Sequence, residues 1–449
     1  MRLYTMLRMS LQANKIFSYN KKTAARHSSL FLCAKTVIFF VFLSCLFLSS
    51  CSKNKKTLIL WTDNPEFLLY TELFNTKQND VKILTVYKDS PTESFPPPKD
   101  EPAPDLIAGK WLNNESLAKF YLPMDYLLSD SKIPRRNFYR NILNAGEING
   151  KQLLLPVNFN IPSIIFSSDN SYLLPDDYFL TPEQIEELCS EKNKTNKNNS
   201  YTFMGFAPSW NPNFLYTITK LKSADYGRNG NTFIWNEKAI SDTTDFIKNW
   251  TKEINTSTLA ENDYKFKYLY TPELKWITQG NSLFAYMDSN SLLKNPPEKL
   301  ENIDFRWLKG DDGIPTEDGI LFISMYRNSK KLSSAEKFIT WFFSKENQKE
   351  MLEWKKNMNL VSNTFGIAGG FSALKEVNEK YFPIFYPALL GNLPPEEYIT
   401  ANEKLPERWE NLKEKVILPY LKQAVNTEEQ TGVQLNLTSL YTEWSKQVF

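Results

Sequence analysis

The chain has 449 residues, with 53 Lys and Arg against 51 Asp and Glu, a single His and four Cys. That His, His27, lies in the N-terminal leader, so the rest of the chain excludes Ser-His-Asp and Cys-His catalysis and His-ligated zinc. Basic residues are scattered rather than clustered, which gives no electrostatic footprint for nucleic acid.

Residues 1–50 carry seven basic residues (Arg2, Arg8, Lys15, Lys21, Lys22, Arg26, Lys35) and no acidic one. Residues 36–48 follow as an apolar run of secretory length, short of the roughly 20 residues that a membrane span needs. Leu48-Ser49-Ser50-Cys51 resembles the lipobox of a bacterial lipoprotein. The resemblance implies a signal peptide over 1–50, cleavage before Cys51, diacylglycerol on its sulfur and an acylated amine. Several chains anchor stably, because each buried methylene contributes about 0.8 kcal/mol. A plain signal peptide or an uncleaved anchor are the alternatives. Cys45 fits less well, since Leu43 stands where a small residue is preferred and Phe42 where Leu is usual.

Without the leader, 46 basic residues face 51 acidic ones, a formal charge of −5. Only Cys189 then remains beside a lipidated Cys51, so no internal disulfide is expected. The remaining 399 or so residues are too many for one ordinary core and predict two lobes.

After a polar tether over 51–56, residues 57–61 read as a buried strand. Asp63-Asn64-Pro65-Glu66 opens a helix with a capping residue, an early Pro and a first-turn acid. Phe67, Tyr70 and Phe74 share one face of it. Residues 81–87 are the next strand, 91–104 a Pro-rich loop, and 105–108 a third strand with Trp111 just beyond. Strand-helix-strand alternation of this kind predicts parallel units. Residues 153–157 and 161–166 read as an extended crossover. Thr181 and Gln184 form a capping box, and the Asn- and Lys-rich stretch 190–200 reads as an exposed loop. Asn236 caps a helix bearing Ile240, Thr243, Thr244, Ile247 and Trp250. Strands follow over 283–287 and 320–325. Ser333 and Glu336 have the spacing of another capping box, and a further helix begins near Ser344. From Asn359 onward the chain reads mostly helical, broken by Gly366, Gly369 and Gly370.

Five segments together resemble the extracellular solute-binding proteins of ABC importers, family 1, the group that contains the maltose-binding protein. They are the strand ending in Trp61 and Asp63, the segment Ala103 to Gly109, the crossing that carries Pro156, Asn158 and Asn160, the return crossing with Tyr286 and Asp288, and the late helix pair over 334–348. The resemblance implies a periplasmic-binding-protein-like α/β fold, two lobes with mainly parallel sheets joined by crossings. Residues 57–158 with 289–344 make lobe one, and 159–288 with 345–449 make lobe two. It further implies a ligand in the interlobe cleft, permease subunits of an ABC importer as partners, a lipid-anchored monomer on a bacterial membrane at its periplasmic or outer face, no catalysis, and no cofactor or metal.

The candidate contacts follow from position and chemistry. Trp61 and Asp63 end the first strand and supply a stacking face and a carboxylate; core packing and helix capping are their alternatives. Glu66 sits in a first helical turn, where it also suits the helix dipole. Trp111 follows the third strand. Asn158 and Asn160 alternate along the crossover, facing the cleft or holding the hinge. Trp210 stands in an unpatterned segment beside Pro208 and Asn211. Asp288 lies at the return crossing, Asp318 just before a strand, and Trp409 late in the chain. Aromatics at 14% fit a stacked sugar or oligosaccharide, or large cores. Two rival functions remain at this point. One is a lipid-anchored glycoside hydrolase using two carboxylates. The other is a non-transport surface lipoprotein or adhesin, for which Trp61 and Trp210 would be buried in the core.

Overall fold

A computed structural model describes residues 56–229, 232–358, 364–401, 404–428 and 435–448. The leader, the lipobox with Cys51 and the tether up to residue 55 lie outside the described residues. Among the described residues, no helix is long and apolar enough to cross a membrane.

The principal elements begin with strand β1 (Lys56–Thr62), helix α1 (Glu66–Lys77), β2 (Val81–Tyr87) and β3 (Leu106–Gly109). Next come β4 (Leu155–Phe159), β5 (Pro162–Ser167), β6 (Phe179–Leu180), α2 (Pro182–Lys192), α3 (Pro212–Leu221) and α4 (Glu237–Ile254). The chain continues through β7 (Ala285–Asp288), α5 (Ser289–Leu293), β8 (Ile303–Leu308), β9 (Leu321–Met325), α6 (Leu332–Phe342), α7 (Lys345–Asn357) and β10 (Phe371–Ser372). It closes with α8 (Trp409–Leu412), α9 (Leu418–Ala424) and α10 (Leu437–Val448).

Two sheets organise these elements. The first has the order β10-β4-β9-β3-β1-β2, the second β7-β5-β8-β6. β1 is parallel to both β2 and β3, because α1 and the 91–104 loop carry the chain back to the same sheet edge before each new strand. Pairing elsewhere is mixed: β9 runs antiparallel to β3 and β4, and β5 antiparallel to β7 and β8, while β8 is parallel to β6. The antiparallel pairs arise where the chain leaves one sheet for the other and returns from the opposite end.

Two apolar clusters fill the interior. In β5 the side chains alternate between them, as strand geometry requires: Ile165 joins the first core, Ile164 and Phe166 the second. Helix α1 buries Phe67, Tyr70 and Phe74, and Phe67 stacks on Phe342 of α6 at 5.6 Å. Each such ring stabilises the fold by about 1.5–3 kcal/mol. Of the C-terminal stretch, buried residues from Met351 to Ile399 pack in the first core, and those from Trp409 to Trp444 in the second. The chain therefore passes between cores near residues 160, 309–320 and 400–409.

The capping box of Thr181 and Gln184 forms, and Asn236 caps α4. The box expected at Ser333 does not. Helix α6 starts a residue early, at Leu332, with no side-chain cap, so Ser333 is already inside the first turn. Asp63 does not cap α1 either: Asn64 Oδ1 accepts from Glu66 N–H instead, and Asp63 turns to Lys110. Residues 364–401 are mostly turns rather than helix. Gly366 and Gly369 adopt left-handed φ, and Pro383 and Pro387 limit the helices there to short pieces.

Candidate functional site

Four of the ten candidates meet at one cavity. Trp111, Asn213, Tyr286, Asp288, Glu317, Asp318, Trp409, Glu410 and Lys413 enclose about 200 Å³. A neighbouring recess of about 380 Å³ shares Asn213, Tyr286 and Asp288. The walls come from both halves of the molecule. Trp111 follows β3 of the first sheet yet packs against the second core. Its φ of 62° is left-handed, a conformation that a bulky residue rarely holds. Gly319 allows this approach: a Cβ there would lie 3.1 Å from the indole Cζ2.

Tyr286 and Asp288 are two residues apart on β7 and so share one face. Asp288 caps α5, accepting from the backbone N–H and hydroxyl of Ser291. Tyr286 donates to Glu317 Oε1 at 2.9 Å. Asn213 occupies the first turn of α3, which Asn211 caps.

Asp318 is the electrostatic centre. Its Oδ2 accepts from Trp409 Nε1 at 2.8 Å and lies 3.4 Å from Lys413 Nζ. Its Oδ1 accepts from Lys220 Nζ at 3.1 Å and Tyr216 OH at 3.2 Å. Burial alone would raise its pKa, but Lys220, Lys413 and the Trp409 N–H outweigh burial and hold the carboxyl well below the usual carboxylate range. Neighbouring Glu317 goes the other way. Burial raises its pKa, Asp318 and Asp288 add to the rise, and Lys220 and Lys413 offset only part of it. Burial, then Glu317, pushes the Tyr286 phenol up as well.

The other six candidates lie elsewhere. Trp61 is fully buried beneath Phe95, at 5.8 Å between ring centroids, with Lys88 Nζ 4.7 Å from its ring. Asp63 Oδ2 accepts from Lys110 N–H at 3.0 Å, while its Oδ1 is buried without a hydrogen-bond partner. Burial raises its pKa, Lys110 lowers it, and Glu410 adds a smaller rise. Glu66 is a latch: it pairs with buried Lys355 at 2.9 Å, accepts from Tyr70 OH, and accepts from Ala368 N–H at 3.2 Å. Asn158 donates to the Ile367 and Ala368 carbonyls. Asn160 donates to the Gly369 carbonyl and accepts from Ser289 Oγ. Both asparagines thus hold the first crossing. Trp210 is buried in the second core against Trp276 at 4.5 Å, its N–H given to the Glu261 carbonyl.

Sequence reasoning passed over Asn213, Tyr286, Glu317, Glu410 and Lys413. Lys413 was findable, since it stands four residues after Trp409 and so shares its helical face. A larger groove of about 780 Å³ lies between β8 and the turns around Tyr386. Its buried apolar wall belongs to the first core alone, and it holds none of the ten candidates.

A family model described as bacterial extracellular solute-binding protein matches residues 73–362. The chain belongs to this family. No curated protein sequence matches it. Solved structures agree on the fold. The sugar-binding protein MalE from Xanthomonas citri superposes with a TM-score of 0.63 at 12% identity, over 88% of this chain and 96% of that one. An extracellular solute-binding protein of family 1 from Alicyclobacillus acidocaldarius gives 0.61 at 11%, over 89% and 100%. The cyclic alpha-maltosyl-1,6-maltose binding protein from Arthrobacter globiformis gives 0.56 at 14%, over 88% and 98%. These solute-binding relatives share the two-lobed α/β architecture described above.

Proposed function

We propose that this protein is the lipid-anchored substrate-binding component of an ABC importer. It captures a sugar or short oligosaccharide between its lobes and delivers it to permease subunits as a monomer. The observation that carries this reading is the cavity whose walls come from both cores and combine Trp111 and Trp409 with Asp288, Glu317 and Asp318. An indole gives a sugar ring an apolar face, and carboxylates accept from its hydroxyls. Relatives named for sugars support the ligand class. The role is binding, not turnover: Asp318 is committed to two lysines and an indole. In this reading, ligand bridges both lobes only in the closed form, and shifts the balance by its differential affinity. The lobes divide where the chain changes core, near residues 160, 309–320 and 400–409, rather than at 289 and 344, because β8 belongs to the second sheet and the stretch up to Ile399 packs in the first core.

Calorimetry with a sugar panel, on protein starting at Ser52, should give micromolar binding, about −8 kcal/mol. Silence across the panel would contradict the proposal. The anchor is tested separately. Palmitate should label the full chain and fail to label Cys51→Ala.

One observation favours a second reading. Trp61 and Trp210 are both buried in packing, as expected for a surface lipoprotein that kept the fold and reduced the cleft. The same calorimetry separates the two.

A further inference from the structure

The cavity has more carboxylates than it can pair. Asp288, Glu317, Asp318 and Glu410 line it, against Lys413 in the wall and Lys220 behind Asp318. Both lysines are spent on Asp318. Asp288 is satisfied by Ser291 in capping α5, and Glu317 receives the Tyr286 hydroxyl. Glu410 differs from these three. It is exposed on the cavity wall, and its carboxylate has no hydrogen-bond or ion-pair partner among the described residues. From the first lobe, Asp63 stands close enough for the two negative charges to repel, and its buried Oδ1 also lacks a partner. Lys110 meets the other oxygen of Asp63 through its backbone N–H, and its charge offsets part of the Asp63 charge. Asp63 thus has the charge of Lys110 to offset it, whereas Glu410 has no ion-pair partner among the described residues. Trp111, whose left-handed backbone brings its indole into the same wall, offers a ring quadrupole that also favours positive charge.

We propose that the preferred solute is a cationic sugar, an amino sugar whose ammonium group is received by Glu410 beside Trp111. This rests on the reading of the cavity as the solute site. Ring hydroxyls then fall to Asn213, Asp288 and Glu317, which suit neutral donors. The ammonium supplies the one charge that the wall lacks. The preference is electrostatic at a partly exposed position, so it weakens with salt.

The test is calorimetry of the chain starting at Ser52 with glucosamine, glucose and putrescine, at low and at high salt, repeated on Glu410→Gln. Glu410 is exposed, so this variant should fold; its circular dichroism and melting curve are recorded alongside. Glucosamine should bind at least about tenfold more tightly than glucose at low salt, with the ratio shrinking at high salt. In Glu410→Gln the ratio should fall to about one. Equal affinity for glucosamine and glucose in the native protein overturns this inference and leaves the sugar site standing. Putrescine binding more tightly than glucosamine overturns the sugar part of it. A ratio unchanged in Glu410→Gln removes Glu410 from the role. No binding by any of the three overturns this inference, and silence across the wider sugar panel as well overturns the reading beneath it.

Discussion

Trp111, in the turn after β3, and Trp210, at the end of a short 3-10 turn before α3, both stand outside the long elements, and the structure gives them opposite fates. Trp210 lies flat against Tyr264, with an interplanar angle of 14°, and hands its N–H to a backbone carbonyl. Trp111 sits on a left-handed backbone and crosses from the first sheet to the second core, at the edge of a polar cavity. A satisfied ring in a relaxed conformation is packing. A ring held in a strained one, against carboxylates, is placed there at a cost that something else must offset.

That contrast can be broken most forcefully at its packed end. Trp210→Ala should cost about 3–5 kcal/mol, read as a large fall in the chemical denaturation midpoint, with folded protein still binding solute. Lys355→Met should cost a comparable 3–5 kcal/mol, because it leaves the Glu66 carboxylate buried and unpaired; double mutation with Glu66→Gln should recover most of the loss. At the cavity end, Trp111→Ala should cost little stability but weaken sugar binding at least about tenfold, or roughly 1.4 kcal/mol. Trp111→Gly should be more stable than Trp111→Ala by roughly 1 kcal/mol, since glycine alone accepts that φ without strain. A Gly variant no more stable than the Ala variant would remove strain from the account.

Titration sharpens the picture of Asp318. Its folded pKa is depressed, so its contribution to stability is full above the unfolded carboxylate value, near pH 4, and is lost as pH falls toward the folded value. Glu317 has the opposite sign: its raised folded pKa favours the fold on acidification through that pKa. Asp318→Asn should therefore flatten the acid limb of the stability profile below about pH 4, and Glu317→Gln should not. An unchanged acid limb in Asp318→Asn would show that the lysine pairs contribute nothing.

Much of the frame was legible. Residues 81–87 form a strand with those bounds, and the capping box at Thr181 sets the start of α2, because both signals are local. The misplaced residues failed for a common reason. Leu58 and Leu60 face the first core, which puts Trp61 on the other side of β1, where Phe95 from the Pro-rich loop covers it. Nothing in the spacing around Trp61 announces a ring 34 residues away. Trp210 is likewise covered by Tyr264 and Trp276 from later helices. Local pattern admits Glu66 as a cleft contact or a helix-dipole partner, and the two asparagines as cleft or hinge residues; all three bind the turn around residues 366–370, a contact across roughly 200 to 300 positions. Long-range partners of this kind leave no mark on local pattern. Asp318 was legible only as an acid before a strand; its lysines come from α3 and from the start of the last helical region.

A crystal structure of the protein grown with the tightest-binding sugar of the panel tests the central claim most directly. Sugar density should lie in the cavity between Trp111, Asp288, Asp318 and Trp409, with contacts from both cores. Density confined to the groove around Tyr386, or none at saturating sugar, would contradict it.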